Sequence, residues 1–131
     1  MLKKPSLLAL GALGALGLAV LPHTAQAVEI EKMVTCSNGS MAVAELELEY
    51  RVFDLSFDID TKNAGEQWKF TLAQNGKRVA TQTFESIKDF DDSYAEVEWD
   101  LVRPDRNGRD TFNFRAVNQQ SGEVCKATLR A

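Results

Sequence analysis

MAVAELELEYRVFDLSFDID, residues Met41 to Asp60, is the stretch that decides the fold. Ala44, Leu46 and Leu48 alternate with Glu45, Glu47 and Glu49. Around Tyr50-Arg51-Val52 the apolar parity flips, and Leu55, Phe57 and Ile59 then carry the alternation on. Period two is the signature of a half-buried strand, and a parity flip marks a turn or a bulge. The stretch therefore reads as two strands, about 41–49 and 53–60. Ala, Glu and Leu are good helix formers, so a helix over 41–51 competes on propensity alone. The strict alternation and the β-rich neighbourhood favour strands.

Working outward, Trp68, Phe70 and Leu72 begin a third strand that ends at Asn75-Gly76, a strong hairpin signal because both residues tolerate positive φ. A fourth strand follows over about 78–84, and Glu85 to Ser93 is a polar loop. Ala95, Val97, Trp99 and Leu101 make the fifth strand. A loop from Arg103 to Arg109 leads into Phe112, Phe114 and Ala116. A turn at Asn118 to Gly122 leads into Cys125, Ala127 and Leu129. Seven short strands, with glycines confined to the turns between them, predict a seven-stranded antiparallel β-sandwich.

Before this domain lies a segment of different character. Lys3 and Lys4 form a positive start, Leu7 to Leu21 is apolar, Pro22 ends the run, and Ala25-Gln26-Ala27 has the small-x-small pattern of a cleavage site. Residues 1–27 read as a cleaved secretory signal peptide. The alternative is a membrane anchor, but the apolar run is shorter than the roughly 20 residues a span requires. Cleavage of 27 of the 131 residues leaves a single domain of 104, residues 28–131, secreted and with no membrane span of its own.

That cleavage also alters the chemistry. The only histidine, His23, is lost, which excludes catalysis or metal binding built on histidine. Loss of Lys3 and Lys4 moves the net charge from −4 to −6, which argues against nucleic acid or an anionic membrane as partner. Cys36 and Cys125 remain. In an exported chain they read as one disulfide joining the two ends of the domain, with free thiols or intermolecular pairing as the alternatives.

With Trp68 on its third strand, the pattern resembles an immunoglobulin-like or fibronectin-type-III-like sandwich, in which the third strand carries a core tryptophan. The cysteines depart from the antibody pattern, lying before the first strand and in the last one, and Phe112 or Phe114 stands near the place of the usual corner tyrosine. The segments Glu66-Gln67-Trp68 to Asn75-Gly76 and Arg115-Ala116-Val117-Asn118 to Cys125 also resemble small secreted single-domain proteins of high-GC Gram-positive bacteria. That second resemblance implies no assigned function.

The immunoglobulin-like arrangement implies that the first, second and fifth strands share a sheet. The outward positions of that sheet then carry Glu45, Glu47 and Glu49, Asp58 and Asp60, and Glu96, Glu98 and Asp100. The other sheet shows Lys69, Arg115, Lys126 and Arg130 outward. Like charges across a strand pair are destabilising, so a merely solvated face carries a cost. The alternative is a docking face for a basic partner, or a basic face for an anionic envelope polymer. Phe90, between Lys88-Asp89 and Asp91-Asp92, is the best loop-tip contact, while Trp68 and Trp99 have inward parity.

Asp105-Arg106-Asn107-Gly108-Arg109-Asp110 partly resembles a calcium loop, but its twelfth position is Ala116, and Arg106 and Arg109 oppose a cation. It reads as a glycine turn, and no metal or cofactor is expected. Asn38-Gly39-Ser40 has the form of a glycosylation sequon and reads as a turn. Carboxylate pairs are abundant, but a small packed domain leaves little room for a deep catalytic cleft. The expectation is a secreted, non-enzymatic interaction module that acts through charged sheet faces or loop tips on an extracellular protein or envelope polymer. A carrier for a small ligand or carbohydrate is the alternative.

Overall fold

The computed structural model describes residues 27–106 and 108–131. The leader, apart from Ala27, lies outside the described residues. Eight strands run in chain order: β1 (Val28–Thr35), β2 (Met41–Glu49), β3 (Val52–Thr61), β4 (Gln67–Gln74), β5 (Lys77–Glu85), β6 (Ala95–Pro104), β7 (Thr111–Asn118) and β8 (Val124–Arg130). They form two four-stranded antiparallel sheets, in the orders β1-β2-β3-β6 and β5-β4-β7-β8. The architecture is an all-β sandwich, compatible with an immunoglobulin-like fold. None of the described residues forms a helix long and apolar enough to cross a membrane.

The strand count corrects the expectation from seven to eight. The added strand, β1, alternates Val28, Ile30 and Val34 inward but places Lys32 at an inward position. An edge strand tolerates this, because the lysine stem can lie along the core while its ammonium reaches out. Here Lys32 Nζ donates to the Thr128 carbonyl at 3.2 Å on the neighbouring sheet.

The Tyr50-Arg51 parity flip is a two-residue hairpin turn between the paired Glu49 and Val52. Both turn residues have positive φ, 50° and 65°. Such a turn matches the twist of the flanking strands but normally uses Asn or Gly, so strain is stored here. Asn75-Gly76 makes the same kind of turn, at φ 54° and 83°, with residues suited to it.

The inward faces meet in one core containing Phe53, Phe57, Trp68, Phe70, Trp99, Phe112 and Phe114. Phe57 stacks on Phe114 with centroids 4.8 Å apart, and Phe70 meets Trp99 edge-on at 5.6 Å. Each such pair adds about 1 kcal/mol beyond area burial. The Trp68 indole N–H is buried without an acceptor among the described residues.

The disulfide Cys36–Cys125 links the end of β1 to β8. Beside it the buried Glu123 carboxylate accepts from the Asn38 and Ser40 amides, both at 2.9 Å, and from Ser40 Oγ at 2.8 Å. The sequon Asn38-Gly39-Ser40 is thus the β1–β2 turn, tied to the opposite sheet by a charged acceptor.

Candidate functional site

The register of the first sheet brings its carboxylates into rows. One row across β1, β2, β3 and β6 is Glu31, Glu45, Ser56 and Asp100, and the next is Glu29, Glu47, Asp54 and Val102. On the other side of the first row lie Met33, Val43, Asp58 and Glu98, and then Thr35, Met41, Asp60 and Glu96. Glu49 closes the face next to Val52. All eight carboxylates expected on this face are there, since β2, β3 and β6 do share a sheet. Glu29, Glu31 and Asp54 bring the total to eleven. Asp54 has the same parity as Asp58 and Asp60, and Glu29 and Glu31 alternate with Val28 and Ile30. These two signals were enough to find them.

No Lys or Arg occupies an outward position of this sheet among the described residues. Rows Glu31–Asp100 and Glu29–Val102 form a shallow trough of about 1000 Å³. Apolar groups stand at its two ends. Met33, Met41 and Val43 gather at one corner, and Tyr50, Val52 and Val102 are exposed at the other, with Tyr50 82% exposed. Ser56 Oγ donates to Glu45 Oε1 at 3.3 Å within the floor.

Asp58 is the electrostatic centre. Its Oδ1 is shut off from solvent and has no hydrogen-bond partner among the described residues. One oxygen each from Asp58, Glu98 and Asp100 lie within 4.8 Å of one another. Burial, then the charges of Glu98, Asp100, Glu45 and Glu96, push the Asp58 carboxyl from the usual 3.8 up to about 7. Burial and then Asp92 raise Asp60 as well. The Tyr94 hydroxyl is raised by Asp60 first and then Asp92. An aspartate that holds its proton near neutrality lowers the repulsion of the face by one charge.

The other expected sites are placed as follows. Lys69, Arg115, Lys126 and Arg130 project from the outer face of the second sheet. Trp68 and Trp99 are core residues. Phe90 is 95% exposed on the loop between β5 and β6, apart from the trough. In the Asp105–Asp110 loop, of which Asn107 is outside the described residues, Asp110 has a structural task. It accepts from Asn75 Nδ2 at 2.8 Å, Gln74 Nε2 at 3.1 Å and the Arg106 amide at 3.1 Å. Burial acts to raise its pKa, and these hydrogen bonds outweigh it, holding the carboxyl below the usual range. Its oxygens are committed to the turn.

A second concavity of about 440 Å³ lies at one end of the sandwich. Asn38, Ser40, Asp60, Lys62, Asn63 and Tyr94 are among its lining residues. It escaped sequence reasoning because its walls come from four separate loops and strand ends.

No known protein-family model matches this chain, and no curated protein matches it in sequence.

Proposed function

We propose that this chain is a secreted, non-enzymatic binding module of immunoglobulin-like type whose acidic sheet face docks a basic protein surface. One observation carries this. Among the described residues, eleven carboxylates and no Lys or Arg occupy the outward positions of one sheet, and seven of those carboxylates line a trough. Stability alone gives no reason for such an array, since like charges on neighbouring strands cost some tenths of a kcal/mol per pair. A partner with lysines or arginines in the centre and apolar flanks complements both the trough and its apolar ends. The disulfide is consistent with action outside the cytoplasm.

The test is calorimetric titration of the purified protein with an extended peptide that carries Lys or Arg at alternate positions. Binding is expected to fall steeply with salt and to be lost when Glu45, Glu47, Glu96 and Glu98 are changed together to Gln. Equal binding by that variant refutes the proposal.

The end cleft favours a second function, a carrier for a small polar ligand such as a sugar, which would use hydrogen-bonding groups around Tyr94. Chemical-shift changes confined to Asn38, Lys62 and Tyr94 on adding oligosaccharides would support it.

A further inference from the structure

We propose that the basic partner is a second copy of this chain, its β5-β4-β7-β8 sheet laid on the acidic trough so that molecules stack head to tail. This rests on the acidic face being a docking surface, and the outer face of the second sheet argues for the rest.

That face is predominantly basic, with Glu85, opposite Gln67 at the end of β5, its one outward carboxylate among the described residues. Its central row runs Thr81, Thr71, Arg115 and Lys126. Lys69 lies in the row on one side of it, and Arg78, paired with Ala73 at a bulge in β5, lies in the row on the other. Between the cations stand mostly threonines and other uncharged groups, which leave the basic side chains free to extend. Both faces are built on the same β lattice, with strands about 4.8 Å apart and same-face residues about 7 Å apart along each strand. Cations spaced on one lattice therefore meet carboxylates spaced on the other without rearrangement of either backbone. Apolar contact is available beside the charges. Val117 and Val124 pair on the basic face, and Met33, Val43 and Met41 share a corner of the acidic one.

Size and charge set the strength. Four strands by about eight residues cover about 500 Å², so a stacked pair buries about 1000 Å², the lower end for a specific contact. The chain is net negative, so whole-molecule repulsion opposes stacking. At about 0.15 M salt the screening length is about 8 Å, which limits that repulsion while leaving facing pairs in contact. The association is therefore weak, concentration-dependent and sensitive to salt. The two faces also point in opposite directions from one sandwich. The contact is heterologous, and it extends into chains of molecules instead of closing as a two-fold dimer.

Sedimentation velocity of the purified protein from about 10 to about 500 µM, in about 20 mM and about 300 mM salt, tests this. The mean mass is expected to rise with concentration at low salt and to fall back at high salt. Arg115→Gln with Lys126→Gln, and separately Glu31→Gln with Glu45→Gln, should each hold the protein monomeric. All four positions lie on outer sheet faces, and unchanged melting curves confirm that the variants fold. Mixed together, the two variants still offer one intact face of each kind and should form a one-to-one dimer that grows no further. A wild-type protein that stays monomeric throughout, or two variants that associate as strongly as wild type, overturns the proposal. If the wild type stays monomeric but binds the cationic peptide described above, the acidic face is a docking surface for another protein. If it does neither, both proposals fall.

Discussion

Replacing Asp58 with Asn should make the protein more stable at neutral and alkaline pH and leave it nearly unchanged below about pH 4. Asn has almost the same shape and carries no charge at any pH. The folded-state pKa of Asp58 is raised from 3.8 to about 7 by burial and by Glu98, Asp100, Glu45 and Glu96. Between these values the folded protein binds more protons than the unfolded chain, so stability falls as pH rises through the window from about 4 to about 7. At about 1.4 kcal/mol per pH unit, the full difference corresponds to about 4 kcal/mol. Asp58 is only part-buried, and salt and solvent screen its neighbours, so the expected gain for Asp58→Asn is about 1–2 kcal/mol. For a domain of this size that amounts to about 5–10 °C in Tm. Urea and thermal unfolding of both proteins at several pH values between about 5 and 8, at low and high salt, provide the measurement. The stability curves should diverge as pH rises and draw together as salt is added. Parallel curves across this range, or a variant less stable than wild type near pH 8, would show that Asp58 carries no such repulsion.

Other perturbations probe the frame that holds the faces. Glu123→Ala should cost about 2–3 kcal/mol, because the Asn38 and Ser40 amides lose a charged acceptor, and Glu123→Gln should cost less. Chemical denaturation compares the two. Loss of the disulfide in Cys36→Ser with Cys125→Ser, which closes a sequence separation of 89, should cost about 2–5 kcal/mol and lower the denaturation midpoint. Replacing Tyr50-Arg51 with Asn-Gly should raise stability by about 1–2 kcal/mol, since both positions have positive φ; a loss would show that Tyr50 or Arg51 makes a compensating contact.

Most of the sandwich could be read from one-dimensional patterns because a half-buried strand writes its two faces into alternate residues. Residues 41–60 showed two strands and a turn, and the structure has them at Met41–Glu49 and Val52–Thr61. β1 was missed because Lys32 breaks the inward alternation and because the strand begins next to the leader. An inward lysine is tolerable only at a sheet edge, and which strand forms the edge is a property of the assembled sheet. The acidic face was foreseen in outline, with β2, β3 and β6 together, but Glu29, Glu31 and Asp54 were not included.

The sequence by itself determined the period-two strands, the turns, the inward aromatic residues and the excess of acid, since each follows from local residue order. The pairing of Cys36 with Cys125, open to alternatives in the sequence, is made by the folded chain. Only the tertiary structure decided that Asp58, Glu98 and Asp100 share a small volume, because strands 40 residues apart in sequence are neighbours only through register. Electrostatic energy depends on distance and burial, and neither is written in residue order. It is the folded sheet that turns scattered carboxylates into one face, and raises the pKa of the aspartate near its middle.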